Sequence, residues 1–300
     1  MTHVAIGALV FGDHLGDASR CLCSIARALS EAKSKTSDYS FSLCVGANAP
    51  TARLREFIFQ ELPKIVPNDI SLELCIPDNN RNVWKYPLMR RMFGSRAFCQ
   101  SDILMWFDDD SYITQHDAGS WLTDICSFAI TNKALIGSIY KINVSKPTID
   151  WLQAQEWAKK PVVNPIKFCT GGWWIAPTEF LVKINYPFPE LAHNGGDFSL
   201  GEACRQSGVA LLHKNSGVAI NAGSSGKESG AKRKAADGVS WLTTNQRLTP
   251  WPKLNEPWQK NHDFACHLFL FCRENTEWKQ KIVPFACRID ELLQTQFKST

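Results

Sequence analysis

Apolar and polar positions alternate along the first third of the chain in long blocks. Residues 4–11 (VAIGALVF) form an unbroken apolar run that stops at Gly12-Asp13. An apolar run without polar residues at every second position reads as a strand covered on both faces, as in a parallel sheet. Residues 20–32 follow with Leu22, Ile25, Ala26 and Leu29 at helical spacing and with Asp17 or Ser19 near the cap. The pattern then repeats: a strand over 41–45 closed by the loop 46–50, a helix over 52–62, a strand over 70–76 ending at Pro77-Asp78-Asn79-Asn80, and a helix over 88–99 with Lys85, Arg90, Arg91 and Arg96 on or near it. A further strand, from Ile103, runs straight into Asp108-Asp109-Asp110. This order predicts an α/β fold with a single doubly wound, mostly parallel sheet and flanking helices. Open sheets of this kind bind ligands at the carboxyl ends of their strands. The same rim gathers Asp13, Asn48 and Asp78 into a pocket suited to a nucleotide, although each of the three alone also fits ordinary turn chemistry.

The aspartate triplet is the strongest chemical signal. Adjacent carboxylates repel one another and are costly to desolvate unless a cation neutralises them. Aspartate oxygens suit Mg²⁺ or Mn²⁺. An acidic turn that caps the next helix is the plainer alternative, and the buried strand that precedes the triplet argues against it. No GxGxxG follows the first strand and no GxxxxGK[ST] occurs, which disfavours a Rossmann dinucleotide site and a P-loop.

The second half changes character. Residues 135–141 read as a strand and 149–160 as a helix. Residues 166–169 lead into Thr170-Gly171-Gly172-Trp173-Trp174-Ile175, whose glycines permit close approach of backbone or ligand. In His193-Asn194-Gly195-Gly196-Asp197 a glycine turn delivers Asp197 to the start of a helix with Leu200, Ala203 and Cys204 on its apolar face. Asp197 is then either an N-cap or a functional carboxylate. Residues 223–238 are rich in Gly, Ser and Lys and carry Lys232, Arg233 and Lys234. They read as a solvated loop or as a loop that binds the acceptor.

Composition adds little and excludes some classes. The 300 residues carry a net charge of +4 and are 44% hydrophobic, ordinary values for a globular protein that do not by themselves imply a nucleic-acid partner. The 11 cysteines are scattered without a CxxC pair, which predicts reduced core residues and disfavours zinc. No apolar run is long enough to span a bilayer, and the start goes directly into a strand with no basic region before it, unlike a secretory signal. Both point to a cytoplasmic protein with no membrane partner. Asn143-Val144-Ser145 fits a glycosylation sequon that such a setting would leave unused.

Taken in order, Trp106-Phe107-Asp108-Asp109-Asp110-Ser111-Tyr112, Thr170-Gly171-Gly172-Trp173-Trp174-Ile175 and Gly196-Asp197-Phe198-Ser199-Leu200-Gly201 resemble the motifs of GT-A fold glycosyltransferases, in the order found in Fringe-like and β1,3-galactosyltransferase-like members. The resemblance covers roughly residues 4–222 and implies a single domain over 1–300, with a nucleotide-sugar donor half in 1–115 and an acceptor half with a C-terminal extension in 116–300. It implies a hexosyltransferase acting on a nucleotide-diphosphate sugar, with a UDP-sugar as the expected donor. Asp108 would face the ribose, and Asp110, with Asp108 and Asp109 in support, would hold Mn²⁺ or Mg²⁺ on the diphosphate. Asp13, Asn48, Asp78 and Arg90 would complete the donor site. Asp197 would be the general base, which implies inversion, and Gly171, Gly172, Trp173, Trp174, Lys232 and Arg233 would meet the acceptor. The family often adds a later metal ligand, commonly His. Here His213 comes early in the segment and Asn221 stands near the expected place. His262 is another possibility.

The compact chain is also similar to phage transferases associated with TET-type oxygenases, which glycosylate 5-hydroxymethylcytosine in DNA. That similarity makes modified DNA the favoured acceptor and a bacterial or phage-infected cytoplasm the expected setting. A saccharide, lipid-linked or protein acceptor is the alternative. A non-catalytic nucleic-acid-binding protein is the competing class. It would explain the basic loop and leave the aspartates without a role. A GT-A-like nucleotidyltransferase would need a basic, glycine-rich loop after the first strand, where Gly12–Asp17 is acidic.

Overall fold

A computed structural model describes residues 1–77, 82–188, 191, 195–214 and 216–220. Strands β1 (Thr2–Phe11), β2 (Tyr39–Asn48), β3 (Ser71–Cys75) and β4 (Ile103–Asp108) pair in parallel, as the blocked apolar runs predict. Between them run helix α1 (Leu15–Lys35), the helical segment made of α2 (Ala52–Glu56) and α3 (Leu62–Ile65), and the pair α4 (Lys85–Phe93) and α5 (Arg96–Cys99). The expected single helix over 52–62 is interrupted by a π-helical stretch, Phe57–Glu61, which ends beside Pro63. Proline has no N–H to donate and its ring crowds the carbonyl four residues earlier, so the hydrogen-bond register shifts. The expected helix over 88–99 begins earlier, at Lys85, and breaks at Gly94-Ser95.

After β4 come the short strand β5 (Tyr112–Ile113), helix α6 (Ala118–Asn132), strand β6 (Leu135–Ile142) and helix α7 (Lys146–Gln153). Strand β7 (Ile166–Pro177), helices α8 (Thr178–Lys183) and α9 (Gly196–Ser207), and the short strands β8 (Leu211–His213) and β9 (Val218–Ala219) complete the described chain. Among the described residues the main sheet has seven strands in the order β3-β2-β1-β4-β7-β6-β8, and β5 pairs separately with β9. β7 departs from a purely parallel sheet, because it lies antiparallel to both β4 and β6. Its early residues, Thr170–Gly172, consequently reach the rim where β4 ends in Asp108.

Side chains alternate between the two faces of the sheet, and each face has its own apolar core. Val4, Ile6, Ala8, Met105, Phe107 and Trp173 pack with α1, α2, α3 and α6. Ala5, Leu9, Leu104, Trp106 and Trp174 pack with α4, α5, α7, α8 and α9. Helices on both faces explain why the central strands β1 and β4 carry unbroken apolar runs. The cysteines among the described residues are unpaired, and most of them are buried in the two cores. No helix among the described residues is long and apolar enough to cross a membrane.

Helix α9 crosses β7 at Gly201. A Cβ there would collide with the Lys167 carbonyl oxygen and stand 2.7 Å from the Phe168 Cα, both of them backbone atoms that cannot yield as a side chain can. Gly201→Ala should lower stability by roughly 1–3 kcal/mol in urea denaturation. Gly16→Ala, with open space around its Cβ, should stay within about 1 kcal/mol of the parent. Equal effects of the two substitutions would show that the α9–β7 crossing is not tightly packed.

Candidate active site

The aspartates leave the carboxyl end of β4 level with the end of β1, where Leu9 pairs with Asp108. Each takes a different environment. Asp108 Oδ1 accepts from the Trp106 indole Nε1 at 2.9 Å, and Oδ2 accepts from Lys85 Nζ at 2.6 Å. Asp109 Oδ2 accepts from the Phe11 backbone N–H at 3.1 Å, with His14 Nδ1 at 4.0 Å. Asp110 Oδ1 is buried and has no hydrogen-bond partner among the described residues. Burial, reinforced by the charges of Asp108 and Asp110, pushes the Asp109 carboxyl up to about 8. Burial and the Asp108 charge raise Asp110 to about 6, with Lys85 acting against them.

Asp197 comes from the other end of the described chain. Gly195, at φ 89°, makes the turn, and Gly196 lies so close to the Tyr86 ring that a Cβ would overlap it. Asp197 is therefore not the N-cap, a place held by Gly195. It lies in the first turn of α9, where the helix dipole favours a carboxylate. Its Oδ1 accepts from Tyr86 Oη at 3.1 Å and its Oδ2 from the Gly171 backbone N–H at 3.0 Å. Burial and the Asp197 charge hold the Tyr86 hydroxyl well above its ordinary range, so it remains a donor.

Lys85 joins the two carboxylate groups. Its Nζ lies 2.6 Å from Asp108 Oδ2 and 3.4 Å from Gly171 O, the residue whose N–H holds Asp197. A Cβ at Gly171 would stand 2.5 Å from Asp197 Oδ1 and 2.9 Å from Lys85 Nζ, so glycine is required for this convergence. Burial opposes the Lys85 charge, and the charges of Asp108 and Asp197 outweigh it, leaving the ammonium above its ordinary value. Lys85 and Tyr86 were not among the sequence-predicted site residues. A lysine in the first turn of a helix works against the helix dipole. That signal becomes visible only once α4 is known to begin at Lys85.

Several expected site residues take other roles. Arg90 is 2% exposed and donates to the carbonyls of Asn185 and Pro187 and to Asn185 Oδ1, so it ties α4 to the segment after α8 instead of reaching a donor. Asn48 is buried as well. Its amide donates to Asn82 Oδ1 at 2.8 Å and its carbonyl accepts from Val83 N at 2.9 Å, which anchors the approach to Lys85. Trp173 and Trp174 lie in the two opposite cores and cannot stack on an acceptor. His213 sits on edge strand β8, with β7 and β6 between it and β4, or about 14 Å at ordinary strand spacing. Its Nδ1 accepts from Ile139 N, so it is no ligand for the aspartates. Asp13 is exposed on the β1–α1 turn beside His14, and Gly172 follows Gly171 in β7. Asp78, Asn221, Lys232, Arg233 and His262, and the loop 223–238, lie outside the described residues.

The aspartates fit a divalent cation on one side only. The buried, unpartnered Asp110 Oδ1 and the charge strain on Asp109 and Asp110 call for one. Among the described residues no three His, Cys, Asp or Glu side chains form a complete cage. Mg²⁺ and similar ions are commonly held by one or two carboxylates, with water and substrate phosphates as the remaining ligands.

No protein-family model matches the chain, and no curated protein does. Among solved structures it is similar to S. aureus TarS, at 15% identity and a TM-score of 0.43 over 73% of this chain and 36% of that one. It is similar to the WbbM bifunctional glycosyltransferase at 12% identity and TM-score 0.43, over 71% of this chain and 38% of that one. It is also similar to UTP-bound UGPase from Acinetobacter baumannii at 12% identity and TM-score 0.43, over 87% of this chain and 98% of that one. The chain thus spans little more than a third of the first two proteins. Overlap this loose transfers no function.

A carboxyl that titrates at about 8 when folded and at the ordinary 3.8 when unfolded binds more protons in the folded state between those values. Its contribution to stability therefore falls as pH rises from about 4 to about 8. Metal-free Asp109→Asn should be more stable than the parent at pH 8, and the gain should shrink by on the order of 1–3 kcal/mol at pH 5. Thermal denaturation at the two pH values checks this, and a gain independent of pH would contradict it.

Proposed function

We propose that the protein is a glycosyltransferase that moves a sugar from a nucleoside-diphosphate sugar, with a UDP-sugar as the expected donor, to a hydroxyl acceptor in the manner of GT-A enzymes. The observation that carries this reading is the meeting of Asp108 and Asp197 across Lys85 and Gly171 at the carboxyl rim of the sheet. The two carboxylates are far apart in the chain and serve different halves of such a reaction. Asp110, with Asp108 and Asp109, would hold Mn²⁺ or Mg²⁺, which when bound supplies Lewis-acid stabilisation of the departing nucleoside diphosphate.

Asp197 is the general base in this reading. The acceptor hydroxyl gives its proton to Asp197 as its oxygen bonds to the anomeric carbon and the bond from that carbon to the phosphate oxygen breaks. The electron pair leaves with the diphosphate, and displacement from the opposite face inverts the configuration. Tyr86 Oη and Gly171 N–H each engage one carboxylate oxygen, and each oxygen keeps a lone pair for the acceptor proton. They fix its orientation.

5-Hydroxymethylcytosine in DNA remains the favoured acceptor from the sequence, on narrower support. Arg90, Trp173 and Trp174 are buried, and the basic loop lies outside the described residues.

The decisive experiment incubates the protein with UDP- and GDP-sugars, Mn²⁺, and either DNA with or without hydroxymethylcytosine or saccharide acceptors, and follows products by mass spectrometry. Transfer should fall at least ~10²-fold in Asp197→Asn, and Asp110→Ala should lose donor hydrolysis as well. A non-catalytic nucleic-acid-binding protein would be indifferent to Asp110→Ala. Absence of both transfer and donor hydrolysis with every nucleotide sugar would remove the enzymatic reading.

A further inference from the structure

Lys85 is held in place at some cost. It stands in the first turn of α4, where the helix dipole repels a cation, and its side chain keeps 15% of its surface exposed. The preceding residue, Trp84, adopts φ 71° and ψ 170°, a conformation that is strained for any residue but glycine. A small network secures it: Trp84 N and Asn48 Nδ2 both donate to Asn82 Oδ1, at 2.9 and 2.8 Å, while Val83 N donates to Asn48 Oδ1 at 2.9 Å. Asp108 does not depend on Lys85 alone, because the Trp106 indole also bonds it. An ammonium has three N–H donors. Among the described residues Lys85 meets one close acceptor, Asp108 Oδ2, and one distant one, Gly171 O. Donor capacity is left over at a partly open position amid Asp108, Asp110 and Asp197.

We infer that Lys85 is a binding residue for the donor's diphosphate: its ammonium pairs with Asp108 in the free protein and donates to phosphate oxygens in the loaded one. This rests on the glycosyltransferase reading above. A diphosphate brings negative charge to a rim that already carries Asp108, Asp109, Asp110 and Asp197, and Lys85 is placed to meet it. The exchange serves both partners. Asp108 released from Lys85 has Oδ2 free for a divalent cation, and Lys85 released from Asp108 has its hydrogens free for phosphate. Cation and nucleotide then favour each other's binding, and the coupling is the same in both directions.

The test titrates UDP, GDP and inorganic pyrophosphate into the full chain by calorimetry, once with EDTA and once with Mn²⁺, for the parent, Lys85→Met and Lys85→Arg. Mn²⁺ binding alone is followed by electron paramagnetic resonance, and circular dichroism checks the fold. Lys85→Met should bind the nucleotides roughly 10- to 100-fold more weakly, yet bind Mn²⁺ alone more tightly, because Asp108 is freed. Lys85→Arg should recover most of the nucleotide binding. An ion pair with a purely structural role would move both affinities down together or leave both unchanged. If Lys85→Met is unfolded, the same comparison is made in Lys85→Gln. Unchanged nucleotide binding in a folded variant overturns the inference and leaves the glycosyltransferase reading standing. Failure of the parent to bind any of the three probes in either buffer overturns both.

Discussion

One ammonium among several carboxylates sets the terms for the carboxyl rim of this sheet. Lys85 is close enough to Asp108 to hydrogen-bond it and close enough to Asp197 to feel its charge. Around that arrangement the chain gives up side chains where they would intrude. Gly171 leaves room for Lys85 and Asp197 to converge, and Gly196 leaves room for the Tyr86 ring. The strained backbone at Trp84 and the Asn48–Asn82 bond set the entry to α4. Without the ammonium, Asp108 would add uncompensated charge to a group in which Asp109 and Asp110 already resist ionisation.

The sheet makes this meeting possible through one reversal of direction. If β7 ran parallel to β4, its Pro177 end would stand at the rim and Gly171 would lie at the opposite edge. Running antiparallel, β7 places Gly171 beside the carboxyl end of β4 while Trp173 and Trp174 continue into the two cores. Helix α9 then packs across the same strand at Gly201, which fixes where Asp197 enters. The rim is thus built from both halves of the described chain and depends on packing on both faces of the sheet.

Much of the first half was legible in the sequence because buried parallel strands leave unbroken apolar runs and their ends are marked by Gly, Asn and Asp. The acidic triplet at the end of β4 and the glycine turn before Asp197 were legible for the same reason, since each is written in consecutive residues. Partners brought together over long separations were not. The Tyr86–Asp197 bond joins residues 111 positions apart. Arg90 and the paired tryptophans were misread because residue type suggested exposure, whereas backbone carbonyls and facing aromatic rings cover them. The direction of β7 was equally hidden, because an apolar strand looks the same read from either end.

Lys85 and Tyr86 are neighbours in sequence and about 100° apart around α4, so one addresses β4 and the other α9. A single residue inserted inside the helix between Tyr86 and Pro87 would turn both away from their partners at once, because the rest of α4 is held by its buried face. The two sides of the rim are therefore set by one helix start. A residue inserted before Lys85 leaves the angle between the two side chains unchanged, since the helix itself fixes it.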